Sequence, residues 1–167
     1  MRAERAPTSF DPTRKIFTLD GARAWRDGRE GRVVFTNGVF DLLHPGHVDL
    51  LVASRRAGDA LVVGINSDAS VRRLNKGPER PIRSEAERAY VLAALETVDA
   101  VVVFDEDTPL RLVQALAPDV IVKGGDYSEA TIVGAAEVRA RGGDVLVVPL
   151  TPGQSTTATV KKLRGLG

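Results

Sequence analysis

The sequence has no cysteine, and among 167 residues it has only two histidines, one tryptophan and two tyrosines. The missing thiols exclude a disulfide framework, a thiolate nucleophile and thiolate-ligated zinc. Two imidazoles without a third histidine or a thiol also argue against a closed zinc centre, so no protein-held metal is expected. An excess of one charge is missing as well: 23 basic against 22 acidic residues leave a formal net charge of +1. Such a chain has no global field with which to gather nucleic acid or an anionic membrane, and any cations that matter must be clustered locally. No apolar run approaches the roughly 20 residues of a membrane-spanning helix. The N-terminal Met1-Arg2-Ala3-Glu4-Arg5-Ala6-Pro7 lacks the apolar core of a secretory signal. Together these absences predict a cytoplasmic protein with neither nucleic acid nor membrane as a partner.

What is present is an apolar share of 43% on a chain of single-domain length, enough to bury a core without staples. Residues 1–19 carry Pro7 and Pro12 among mixed charges and read as an N-terminal arm, leaving 20–167 as the domain. Five short β-rich runs follow, at 33–36, 60–65, 100–104, 120–122 and 145–148. They are continuous rather than alternating, as in strands covered on both faces. Helical signals separate them. Residues 46–57 are amphipathic and stop at Gly58; Ser84-Glu85-Ala86-Glu87 is a capping box; Thr108-Pro109 offers a cap and an N1 proline; 130–141 and 156–163 complete the set. Strand alternating with helix predicts an α/β domain built on a doubly wound, five-stranded parallel sheet. Ligands of such sheets sit beyond the carboxyl ends of the strands.

Both histidines fall in the first of those loops, in Thr36-Asn37-Gly38-Val39-Phe40-Asp41-Leu42-Leu43-His44-Pro45-Gly46-His47. Pro45 suits the first helical position, and residues 44 and 47 are three apart, so both rings project from one side of the helix start. Free amides, the positive dipole end and Gly46 make that start an anion site, and two ring donors above it suit a phosphate. Residues 72–81 form a basic loop whose Lys76 can reach a phosphate; Arg88, on the next helix, can add a bidentate contact. In Lys123-Gly124-Gly125-Asp126-Tyr127 the glycines permit close backbone approach, and Asp126 can accept from a sugar hydroxyl. Thr151 to Thr157 feeds the last helix with hydroxyls and amides, a second anion site or an ordinary N-cap. Neither GxxxxGK[ST] nor GxGxxG occurs, and no GxSxG elbow supports a nucleophilic triad.

Residues 36–47 resemble the HxGH signature of the nucleotidyltransferase superfamily, in its cytidylyltransferase-like branch. Arg73-Leu74-Asn75-Lys76-Gly77, residues 122–127 and Gly153-Gln154-Ser155-Thr156-Thr157 narrow the likeness to the adenylyltransferase domains of bacterial ADP-heptose synthesis. Glycerol-3-phosphate cytidylyltransferases carry an arginine shortly before the final Ser-Thr-Thr, whereas residues 149–153 here contain no basic residue. The resemblance implies transfer of AMP from ATP to a sugar 1-phosphate, D-glycero-D-manno-heptose 1-phosphate in the first instance, by a cytoplasmic homodimer. The short chain leaves no room for the sugar kinase often fused to such domains and predicts the stand-alone form. His44, His47, Lys76 and Arg88 would be catalytic. Thr36, Asn37, Gly38, Val39, Phe40, Gly46, Lys123, Gly125, Asp126, Ser155, Thr156 and Thr157 would join the histidines in holding the nucleotide. Asp41, Lys76 and Arg80 would face the sugar phosphate, and Mg2+ would arrive mainly bound to ATP. The alternatives are a cytidylyltransferase acting on glycerol 3-phosphate or a similar alcohol, and a non-catalytic ATP-sensing module.

Overall fold

All five apolar runs form strands of one parallel sheet, and a sixth strand extends it. The computed structural model describes residues 10–75, 77–149, 151–153, 156–163 and 165. Its strands are β1 (Ile16–Phe17), β2 (Val33–Gly38), β3 (Ala60–Asn66), β4 (Ala100–Phe104), β5 (Val120–Gly124) and β6 (Asp144–Val148). They lie in the order β1-β4-β3-β2-β5-β6, and every pair is parallel. The helices are α1 (Leu19–Asp27), α2 (Pro45–Arg56), α3 (Asp68–Arg73), α4 (Glu85–Ala93), α5 (Leu110–Leu116), α6 (Ala135–Ala140) and α7 (Thr156–Leu163).

The sixth strand corrects the expected count of five and brings residues 16–17, read as part of the arm, into the sheet. β1 is only two residues long and pairs with β4 alone, at Ile16↔Val101 and Phe17↔Val102. A strand that short leaves no apolar run to read. It is held by Lys15, whose Nζ donates to the carbonyls of Leu95 (3.2 Å) and Val98 (2.7 Å) just beyond α4. Two helix boundaries also differ. The helix expected over 130–141 is confined to α6, because Gly134 takes a left-handed φ of 88° with Val113 against it. Thr108 does not cap α5; Pro109 occupies the N-cap position without a side-chain bond. The capping box at Ser84 and Glu87 forms in both directions, and Asp68–Arg73 is a helix that no apolar period had marked.

Strand side chains alternate between two cores, which explains the continuous apolar runs. Val33, Phe35, Val62 and Val102 pack under Ala22 of α1, Leu112 and Leu116 of α5 and Val138 of α6. Val34, Leu61, Val63, Ile65 and Val101 pack under Leu51 of α2 and Leu92 of α4. Each fully buried aliphatic side chain contributes roughly 1.5–3 kcal/mol. From β2 the chain winds outward through β3 and β4, then crosses back to β5 on the other side of β2. The switch point is therefore the crevice between β2 and β5. Those two strands pair only at Val34↔Val120 and Phe35↔Ile121, whereas β2 and β3 pair at six positions. Their carboxyl ends part where a ligand would enter. Among the described residues no helix is long and apolar enough to cross a membrane.

Candidate active site

At the end of β2 the chain must turn sharply to enter α2. Phe40 takes a left-handed φ of 49°, and the turn leaves His44 as the N-cap of α2 with Pro45 in the first turn. His44 makes no side-chain capping bond; its ring instead stacks on His47, with centroids 3.8 Å apart and planes inclined by 20°. Phe40 supports His47 from another side at 5.1 Å. The Nδ1 atoms of both imidazoles are buried without a hydrogen-bond partner among the described residues, an unmet demand that a ligand oxygen can satisfy.

Burial disfavours the charged imidazolium, so both histidines titrate below their ordinary value. His47 is pushed down to about 4, by desolvation first and then by the charges of His44 and Arg80, while the Leu42 carbonyl works in the opposite direction. At neutral pH the pair is uncharged, and each ring presents one N–H donor and one acceptor.

These rings border a cavity of about 330 Å³, lined also by Asn37 to Asp41, Gly46, Leu50, Arg80, Gly124, Pro149, Thr151, Thr156 and Thr157. It sits at the switch point. A larger and more open depression of about 710 Å³ lies between α1 and α5; it contains no histidine and no glycine loop, so it is not the candidate. Asn37, Gly38, Val39, Phe40, Gly46, Thr156 and Thr157 are thus brought together as the sequence predicts. Thr156 donates to the Leu42 carbonyl at 3.4 Å and ties α7 to the histidine loop. Lys76 and Ser155 lie outside the described residues.

Other expected residues stand elsewhere. Thr36 is fully buried and, with Lys123, Gly125 and Asp126, outside the cavity lining. Lys123 bridges the two strands of the switch point, its Nζ donating to Asn37 Oδ1 at 2.6 Å. Gly125 has φ 133° and bonds through its amide to the Val148 carbonyl; Asp126 is exposed.

Two expectations require correction. Asp41 does not offer its carboxylate to a sugar phosphate. Its side chain is wholly buried; it accepts from the amides of Ile82 and Arg83 at 2.9–3.0 Å and meets Arg80 Nε at 2.6 Å. Arg80, balanced in this way, keeps its place on the cavity wall. Arg88 does not line the cavity: its guanidinium is wholly buried and donates to the Arg83 carbonyl, the Val39 carbonyl and Asp68. Leu50 and Pro149 belong to the lining although no site residue was expected there, and Gly124 and Thr151, from two loops read as facing a ligand, line it too. Leu50 was readable in principle, being one turn from His47 on the same helix face. Thr151 is held in place by donating across the fold to Asp49 at 2.6 Å.

No group of three or more histidine, aspartate or glutamate side chains converges among the described residues.

Fold and site define a doubly wound α/β protein with a stacked histidine pair bordering a cavity at its switch point. Comparison with known proteins gives the family. The cytidylyltransferase-like family matches residues 35–158. The bifunctional protein HldE of Acidiphilium cryptum is 57% identical over 155 residues, 90% of this chain and 32% of that protein. HldE of Rhodopseudomonas palustris is 60% identical over 84% of this chain and 28% of its own length. The chain thus spans about a third of these curated relatives. A solved lipopolysaccharide core biosynthesis protein from Thermoplasma volcanium superposes with a TM-score of 0.61 at 30% identity, over 73% of this chain and 98% of that one. The pantoate-beta-alanine ligase of Francisella tularensis shares the fold at a TM-score of 0.62 and 14% identity, over 85% of this chain and 68% of that one. The chain belongs to the cytidylyltransferase-like family, which places it among the nucleotidyltransferases.

Proposed function

We propose that the protein transfers AMP from MgATP to a sugar 1-phosphate, D-glycero-D-manno-heptose 1-phosphate in the first instance, releasing pyrophosphate. The observation that carries this reading is the uncharged, stacked His44–His47 pair over the start of α2, with Arg80 on the same cavity wall. The acceptor's phosphate is ionised at neutral pH, so its oxygen attacks the α-phosphorus without a general base. As that P–O bond forms, the bond from the α-phosphorus to the bridging oxygen breaks, and both electrons leave with pyrophosphate. What remains for the protein is to align two polyanions and stabilise the charge that builds on the phosphoryl oxygens. His44 and His47 donate to those oxygens, the amides at the start of α2 add their dipoles, and Arg80 offsets charge on the incoming phosphate. Asn37 to Phe40 and Thr156–Thr157 hold the nucleotide.

Adenine and heptose are favoured by the motifs at 73–77, 122–127 and 153–157, and by the absence of a basic residue at 149–153. The product would feed lipopolysaccharide or another surface glycan, and the working unit would be a cytoplasmic homodimer. Pyrophosphate release measured with ATP, CTP and GTP, each crossed with heptose 1-phosphate and glycerol 3-phosphate, tests the reading. Turnover with ATP and the heptose is expected. Turnover only with CTP and glycerol 3-phosphate would replace it with the cytidylyltransferase reading, and ATP binding without turnover on any acceptor would leave a sensing module.

A further inference from the structure

Arg88 is the largest fully buried side chain of the protein among the described residues, yet it lies outside the cavity it was expected to serve. Burying a guanidinium is costly unless its donors are met. Here they are met by three different segments. Nη1 donates to the Val39 carbonyl at 2.8 Å, on the turn before α2. Nε donates to the Arg83 carbonyl at 3.0 Å, at the entry to α4. Nη2 pairs with Asp68 at 2.8 Å, in the first turn of α3, the helix that leads into the basic loop.

Each contact is backed by another. Asp41 returns the link between the histidine loop and the α4 entry by accepting from the amides of Ile82 and Arg83. Glu85 returns the link between α4 and α3 by accepting from the Asp68 amide at 2.7 Å. Val39 immediately precedes Phe40, whose left-handed backbone persists only when its surroundings over-determine it. The Phe40 ring in turn packs against His47.

We infer that Arg88 is a positioning residue: it holds the Val39–Phe40 turn, and through Phe40 the His47 ring, in register with the Arg80–Arg83 segment, and touches neither substrate. This role rests on the reaction proposed above. Lysine cannot replace it, because an ammonium lacks the planar fork that reaches three segments at once.

The test is Arg88→Lys in the full chain. Since the protein has only two histidines, their imidazole resonances are readily followed by NMR. In a variant whose circular dichroism shows it folded, kcat is expected to fall about 10–100-fold, the loss that an ångström of misplacement produces. KM for ATP should rise by a smaller factor than kcat falls, since the Val39–Phe40 turn also borders the nucleotide but the His47 ring is needed chiefly in the transition state. The His47 resonances should shift and its titration midpoint rise toward an ordinary imidazole. A tenfold or larger rise in KM for ATP with kcat and His47 signals unchanged would overturn the inference and make Arg88 a phosphate ligand. If Arg88→Lys does not fold, Asp68→Asn weakens the same junction more gently. It should shift His47 and kcat in the same directions, and a folded Asp68→Asn with both unchanged would overturn the inference. The His47 signals need no turnover. Loss of the proposed reaction in the unmodified protein would therefore refute the function without deciding the positioning, which the spectra decide alone.

Discussion

The rings of His44 and His47 lie face to face, 3.8 Å between centroids, at the one helix start in this sheet that carries both of the chain's imidazoles. Among the described residues neither ring is held by a carboxylate. The pair owes its geometry to the turn at Phe40 and to α2, and its neutrality to burial.

Replacing either histidine with alanine removes a preorganised donor without emptying the core. A loss of about 10²–10³ in kcat is expected for each variant, as for other single donors to a developing oxyanion. Circular dichroism and melting temperature should remain near those of the unmodified protein. Pyrophosphate release measured beside the melting curve checks both, and near-normal turnover in either variant contradicts the role.

Below about pH 6.5 an unfolded chain takes a proton at His47 that the folded chain, with its midpoint near 4, does not. The unfolded state then binds more protons, so stability falls as pH drops from about 6.5 toward 4 and is level in this respect above that window. His44, also depressed, acts with the same sign. Urea midpoints at pH 7.5 and pH 5 should differ more for the unmodified protein than for His47→Gln, which loses the His47 contribution and keeps that of His44.

Asp41 and Arg80 form a buried pair, with side chains 0% and 8% exposed. Removing the acid strands the guanidinium and two loop amides. Asp41→Ala should lower stability by about 3–5 kcal/mol, the usual cost of breaking a buried pair from one side. Chemical denaturation measures this, and a change below about 1 kcal/mol would mean that water takes over the role of the carboxylate.

Gly125 holds φ at 133°, and a Cβ there would approach the Tyr127 ring to 3.0 Å. Gly125→Ala should therefore cost about 1–3 kcal/mol in backbone strain. Its amide anchors β5 to β6 through the Val148 carbonyl, so the variant should also raise KM for ATP by disturbing the β5 end of the crevice. Denaturation and steady-state kinetics on the same preparation separate the two effects.

The sequence by itself determined what local patterns encode. Continuous apolar runs placed five strands: in four of them residues covered on both faces must be apolar almost throughout, while the edge strand β6 is apolar although Leu146 and Val147 are exposed. Ser84 and Glu87 placed the start of α4, since a capping box is complete within four residues. His44, Pro45 and His47 placed the ring pair at the start of α2, because three-residue spacing at a helix start sets the side from which the rings project. Tertiary structure decided what depends on partners far along the chain. Of two arginines equally plausible as phosphate ligands, Arg80 reached the cavity wall and Arg88 was drawn into the core by Val39 and Asp68, 49 and 20 residues away. β1 exists because β4 offers an edge and Lys15 finds two carbonyls beyond α4, not because two residues announce a strand. The neutrality of His47 belongs to the same class: an imidazole's residue type sets its ordinary pKa, but only the packing around it sets the desolvation that moves it.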